Sequence, residues 1–298
     1  MASSERLVDV VEIHESADLA ATDVRAAAID GLENGNVVLL RHVGFELTAR
    51  EREIIRDTDV VLPGRKERES QVGRPTLIFD PTSGEIERTR IRNPERGEIA
   101  AMMARFSEWA TDLVRTLLPS YGPILARERV TFRPGIRRKL QGLHVDSSYG
   151  HPTQGRGMLR VFCNVNPDNQ PRVWQIGEPF EPFVQHFLPT ARARASWGSW
   201  LGEKLGFTTG RRSPYDLLMA DIRRLAKGNQ EFQKSAPTKM VEFPSGSCWM
   251  AITDLVTHGA HSGQHSLDQT FFLPVAGMRD PSRSSLRILE RLTGQPLV

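Results

Sequence analysis

The sequence predicts an α+β protein with a mainly β core: a jelly roll with flanking helices and a helical insertion. Three observations predict this class. After Ala126, short runs rich in Val, Phe, Thr and Trp follow one another, separated by Gly, Pro and Asn. No helices alternate with these runs, which argues against a parallel doubly wound sheet. Upstream the apolar period is mostly helical, and a second helical stretch interrupts the strands at about 181–229. One domain over 1–298 is therefore expected. It comprises a helix-rich part (1–125), the jelly-roll core (126–276) and a C-terminal helix within 277–298.

Taken in order, Ala17 to Leu32 carry a helical apolar period, and Gly35 is placed to end that helix. Val37 to Leu40 form a short apolar strand. Thr48 can cap a charged helix running through Ile55. Val61 to Ser70 are polar and read as a loop. Asn93-Pro94 should open a long helix. Its buried face would be Ile99, Met102, Met103, Phe106, Ala110, Leu113 and Leu117, with Pro119 and Gly122 stopping it. The expected strands are Arg129 to Phe132, Leu140 to Val145, Met158 to Val165, Arg172 to Ile176, Lys239 to Phe243, Cys248 to Ile252 and Gln269 to Val275. Within the insertion, Tyr215, Leu217, Leu218, Ile222 and Leu225 recur at helical spacing. After Pro281, Leu286, Ile288, Leu289 and Leu292 predict the last helix.

Composition narrows the class further. A chain of 298 residues, 39% apolar and 25% charged, can build a core without disulfide staples. Cys163 and Cys248 each sit inside an apolar run, at a spacing that suits neither zinc nor a redox motif. They read as buried reduced thiols in a reducing compartment. The first residues lack a secretory layout, and no apolar run has the length of a membrane span. A cytoplasmic protein, not integral to a membrane, is expected. Basic residues cluster at Arg133, Arg137, Arg138 and Lys139, and at Arg192, Arg194, Arg211 and Arg212. These read as solvated surface, or as a site for substrate phosphate or carboxylate. They would also suit peripheral contact with an anionic inner leaflet. No nucleic-acid motif accompanies them, so nucleic-acid binding is not expected.

The chemistry points to Gln141-Gly142-Leu143-His144-Val145-Asp146. Residues two apart on a strand face the same side, so His144 and Asp146 can aim an imidazole and a carboxylate at one point. That pair is two thirds of the facial triad that holds Fe(II) and leaves adjacent positions open for a chelating 2-oxo acid and O2. With 8 histidines and 15 aspartates, chance alone yields a His-x-Asp in many proteins of this length, so the motif needs context. Context comes from Phe243 to Trp249, a hairpin that leads to Thr257-His258-Gly259. His258, 114 residues after His144, is the expected third ligand, with His261 and His265 as rivals. The other histidines, His14, His42, His151 and His186, read as hydrogen-bonded surface groups. Using 2-oxoglutarate also requires a cation for its distal carboxylate, best supplied by arginine. On the strand after the third ligand that place falls to uncharged Gln269. Arg160, inside the apolar run Met158 to Phe162, is the alternative anchor; its other reading is an outward-facing position or an internal salt bridge. Asn164 and Gln269 could complete the hydrogen bonds around the carboxylate.

These blocks resemble the Kdo (3-deoxy-D-manno-oct-2-ulosonic acid) hydroxylase family. The resemblance rests on Leu143 to Asp146, Leu159 to Pro167, Pro171 to Phe180, Thr253 to His258, Ser262 to Gln264 and Asp268 to Phe271, and more weakly on Leu32 to Gly35. It implies a double-stranded β-helix (cupin-like) and the cofactors Fe(II), 2-oxoglutarate and O2. It further implies hydroxylation at C3 of Kdo, the acidic sugar of the lipopolysaccharide inner core. Residue by residue it supports His144, Asp146 and His258 as metal ligands and Arg160 as cofactor anchor. The sequence departs from the family pattern at Arg137 to Gly142 and at Ser147-Ser148-Tyr149, which flank the metal pair. Two rival readings are the same chemistry on a sugar acid or nucleoside in secondary metabolism, and a non-catalytic jelly-roll binding protein.

Overall fold

The structure is a computed structural model that describes residues 6–14, 18–56, 76–87, 95–135, 142–147, 151–202 and 212–298. Eleven strands in two sheets form the core of the described residues. The larger sheet runs β1 (Val10–Ile13), β2 (Val37–Leu40), β9 (Cys248–Ile252), β6 (Gly157–Asn164), β11 (Ser266–Leu273), β5 (Ala126–Arg133), β3 (Leu77–Asp80) and β4 (Glu85–Glu87). The smaller sheet runs β10 (Val256–Ser262), β7 (Arg172–Pro179) and β8 (Lys239–Phe243). Every pairing is antiparallel except β1 with β2. Two facing sheets of this kind make the expected jelly roll.

The part before residue 126 is less purely helical than its periodicity suggests. Alongside α1 (Thr22–Glu33), α2 (Ala49–Arg56) and α3 (Glu95–Leu117) it supplies four strands, which extend both edges of the large sheet. Three of those strands, β1, β3 and β4, have no more than four residues each, too few for alternation to be read. The expected helix ends fare better. Gly35 sits at φ +71, a left-handed position just past α1 that glycine adopts without Cβ strain. Thr48 caps α2 reciprocally: its Oγ1 accepts from Glu51 N at 3.1 Å, and its own N donates to Glu51 Oε2 at 2.7 Å. The expected 61–70 loop and Asn93-Pro94 cap lie outside the described residues.

The large sheet is buried on both faces. One face packs against helices: α3 crosses β5 and β11 and buries Ile99, Met102, Met103, Phe106, Ala110, Leu113 and Leu117, the stripe its periodicity marks. The other face meets the small sheet through a layer of aromatic rings. Trp249 stacks between Phe162 at 5.3 Å and Phe243 at 4.0 Å, and Trp174 meets all three rings edge-on. Cys163 and Cys248 are cross-strand partners on β6 and β9, both buried free thiols. The insertion between β7 and β8 comprises α4 (Phe180–Gly202), α5 (Pro214–Gly228) and α6 (Gln230–Ser235), and ends six residues beyond the expected boundary at 229. The chain closes with α7 (Ser285–Thr293), and no described helix is long and apolar enough to cross a membrane.

One buried carboxylate ties the N-terminal helix to the segment before α7. Glu33 accepts from the Tyr121 hydroxyl, from Arg279 N at 2.6 Å and from Asp280 N at 2.8 Å. Beside it, burial first and the Glu33 carboxylate second push the Tyr121 hydroxyl far above its usual range, so it stays a donor. Glu33→Ala would take the acceptor from three donors, the buried Tyr121 hydroxyl and two part-buried N–H groups. It is expected to lower unfolding free energy by about 3–5 kcal/mol in chemical denaturation. A loss below 1 kcal/mol would contradict this role.

Candidate metal centre

His144 reaches the small sheet through a single bridge to His258, not through a strand of its own. Its N donates to His258 O at 3.0 Å, and His258 N returns a bond to His144 O at 2.9 Å. Next along, Asp146 N donates to Thr253 O at 2.9 Å. His258 also differs from expectation: it lies inside β10 and does not end the preceding hairpin. The segment before His144 is clamped from the insertion, because Gln233 on α6 accepts from Leu143 N at 2.7 Å and donates to Leu143 O at 3.0 Å. Gly142 permits that approach; a Cβ there would stand 2.2 Å from Gln233 Oε1.

These contacts bring three donors together. Ligand atoms of His144, Asp146 and His258 all lie within 4.8 Å of one another, in buried positions. Asp146 Oδ1 stands 3.6 Å from His144 Nε2, and Oδ2 stands 4.0 Å from His258 Nε2. Each ring donates its Nδ1–H to the carbonyl two residues back, His144 to Gly142 O at 2.9 Å and His258 to Val256 O at 2.8 Å. That fixes the tautomer and leaves both Nε2 lone pairs facing Asp146. Trp174 stacks on the His258 ring at 4.8 Å and holds its plane.

The electrostatics match a set of ligands awaiting a cation. Burial pushes the His144 imidazole down to about 3 and lowers His258 as well, so both are neutral at pH 7. Burial alone would raise Asp146, but the Arg160 guanidinium beside it outweighs burial and holds the carboxyl well below the usual carboxylate range. Two neutral imidazoles and one carboxylate are the donor set that suits Fe(II) while leaving room for further ligands.

Of the rivals, His265 is spent elsewhere: its Nε2 donates to Ile55 O at 2.9 Å, and Asn166 faces its Nδ1 at 3.3 Å. His261 stands outside the cluster. The other expected site residues divide. Arg160 does line the cavity, but it forms the internal salt bridge of its second reading: Nη1 meets Asp146 Oδ2 at 2.7 Å and Nη2 meets Asp268. Asn164 and Gln269 do not line it. Asn164 Nδ2 donates to Gln170 O and Phe243 O, while its Oδ1 accepts from Asn166 N. Gln269 points to the helix face, where it accepts from Ser107 Oγ at 2.6 Å and donates to Glu128 O at 2.7 Å. A strand alternates its faces, so the cavity side of β11 belongs to the neighbouring Asp268, which pairs with Arg160 and Arg133.

The cavity beside the triad measures about 140 Å³ and is also lined by Arg133, Arg172, Arg223, Trp174 and Trp249. Arg172 was not picked out by sequence reasoning. Its guanidinium is buried and pairs with no described carboxylate; it donates to Gly263 O, and its Nε has no partner. Burial pushes its pKa down to about 10. Its signal in the sequence was a lone arginine opening an apolar strand. Of the two basic clusters, Arg133 joins this cavity; Arg137, Arg138, Lys139 and Arg211 lie outside the described residues.

A jelly roll presenting a buried His-Asp-His cluster beside an arginine-lined cavity defines a mononuclear non-haem iron oxygenase. The sequence profile described as 3-deoxy-D-manno-oct-2-ulosonic acid (Kdo) hydroxylase matches residues 15–296, and the chain belongs to that family. Among solved structures it resembles the Kdo hydroxylase KdoO, a non-haem Fe(II) 2-oxoglutarate-dependent dioxygenase. Against KdoO with 2-oxoglutarate and Fe(III), identity is 30%, TM-score 0.85 and coverage 97% of both chains. Against KdoO with cobalt(II), identity is 31% with the same TM-score and coverage. A search of curated proteins gave no match.

The depressed imidazoles set a pH dependence. Between about 6.5 and about 3 the unfolded chain protonates at His144 while the folded chain does not. Stability of the metal-free protein therefore falls as pH falls through that window, with His258 adding in the same direction. Asp146, depressed below 3.8, extends the loss at lower pH. Denaturation midpoints measured from pH 7 to pH 4 should decline; a flat profile would contradict neutral buried imidazoles.

Proposed function

We propose that this protein hydroxylates a C–H bond of an acidic sugar, C3 of Kdo in the lipopolysaccharide inner core, using Fe(II), 2-oxoglutarate and O2. The observation that carries the reading is the convergence of His144, Asp146 and His258 within 4.8 Å beside a cationic cavity. Bound iron with 2-oxoglutarate and O2 supplies the oxidising chemistry, in which one oxygen atom enters the substrate and the other leaves in succinate, with release of CO2. The chain supplies the rest. His144 and His258 offer Nε2 without a proton to displace, and Asp146 offers an oxygen that needs no deprotonation at neutral pH.

Arg160 is reassigned. With both Nη atoms held by aspartates, it orients Asp146 and offsets its charge, as an outer partner of a metal ligand does. The distal carboxylate of 2-oxoglutarate goes to Arg172. A buried guanidinium without a counter-ion costs several kcal/mol, and a bound carboxylate relieves that cost with charge-assisted hydrogen bonds. Trp174, Phe162 and Trp249 wall the cavity with apolar surface that excludes water from the reacting centre.

The defining experiment is succinate release across a panel of Kdo-bearing lipids and free sugar acids. His144→Ala and Asp146→Ala should each abolish it, and unchanged turnover in either would refute the ligand assignment. Arg172→Gln should weaken 2-oxoglutarate binding roughly 100-fold in anaerobic calorimetry, with partial recovery in Arg172→Lys. An unchanged affinity would return the anchor role to another cavity arginine.

A further inference from the structure

Among the described residues four guanidiniums line the cavity, and they are not equivalent. Arg133 and Arg160 share Asp268, and Arg160 also holds Asp146. Arg172 is buried on a barrel strand. Arg223 differs in origin and exposure. It projects from α5 of the insertion, keeps 27% of its side chain exposed, and lines the same cavity. The carboxylate paired with it is Asp146, whose Oδ1 lies 4.0 Å from Nη2, at the limit of an ion pair. Its Nε is buried and has no hydrogen-bond partner. One turn further along α5, Lys227 adds positive potential felt at His144.

Resting on the function proposed above, we infer that Arg223 recognises the carboxylate of the sugar substrate. Once Asp146 serves a metal, its charge is committed, and Arg223 keeps only a distant share of it. Among the described residues the cavity then holds two guanidiniums without dedicated carboxylates, Arg172 in the interior and Arg223 at its more exposed side. The reaction brings two kinds of anion, the distal end of 2-oxoglutarate and the acid group of the sugar. The buried arginine suits the cofactor, which must be shielded from water. The more exposed one suits the sugar, whose glycolipid remainder must extend out of the cavity. A guanidinium offers a bidentate fork matched to a planar carboxylate. Arg223 is thus a specificity-determining residue for acidic over neutral sugars.

The test uses protein loaded with cobalt(II) and 2-oxoglutarate, titrated calorimetrically with the methyl glycoside of Kdo and with the methyl ester of that glycoside. The wild type should bind the acid more tightly than the ester. Arg223→Gln should weaken the acid roughly 10- to 100-fold and shift the ester by no more than about twofold. Arg223→Lys should retain part of the preference for the acid. If the wild type prefers the acid and Arg223→Gln keeps that preference, the functional reading stands and the inference falls. Loss of 2-oxoglutarate binding in Arg223→Gln would mark a structural role and overturn it too. A wild type that binds neither probe would count against the proposed substrate itself.

Discussion

Two backbone hydrogen bonds between residues 144 and 258 are the constraint on which this site depends. They pair a short extended segment with a strand more than one hundred residues away and set the two imidazole centroids 4.9 Å apart. Everything needed for a shared ligand follows from that register. A slip of one residue would turn one ring out of the barrel, because side chains alternate along extended backbone. The Gln233 clamp and the Asp146-to-Thr253 bond hold the register from either side of His144. Both rings then lock their tautomer locally, so orientation and protonation are fixed before any ion arrives.

A chain of alternating charge runs outward from the triad: Asp146, Arg160, Asp268, Arg133. Each aspartate meets two cationic or metal-directed partners, which offset the cost of burying two carboxylates. The order matters for chemistry. A carboxylate held by Arg160 cannot rotate freely, so the oxygen left for a metal is chosen by the protein. The same arrangement explains why Arg160 is a poor anchor for an incoming acid. Its donors are already placed.

Much of this was legible in the sequence, and the losses have physical causes. His144 and Asp146 could be read because two-residue spacing fixes direction whether the backbone is a full strand or a single bridge. The long α3 stripe could be read because 23 residues sample the helical period many times. Gln269 misled because a strand reverses face at every step, and counting from His258 landed one residue from Asp268. Arg172 was missed because a lone arginine opening an apolar strand reads the same whether or not it has a partner; only the fold shows that no described acid stands near it. Arg223 was hidden for a related reason. Helical spacing identified the apolar face of α5 but said nothing about which cavity its polar side would border.

The division of labour between barrel and insertion follows from what each element can hold still. A guanidinium on a paired strand, buried beneath an aromatic layer, has few rotamers and little water, and so presents a fixed charge at a fixed depth. Such a group is costly while unpartnered, which makes cofactor binding and folding stability two readings of one free energy. A guanidinium on an insertion helix that keeps 27% of its side chain exposed costs less to leave empty between turnovers. It can therefore stand without its ligand at little cost to the free protein. On the function proposed, the buried cation belongs to the 2-oxoglutarate that every turnover needs, and the more exposed one to the sugar that the enzyme must select.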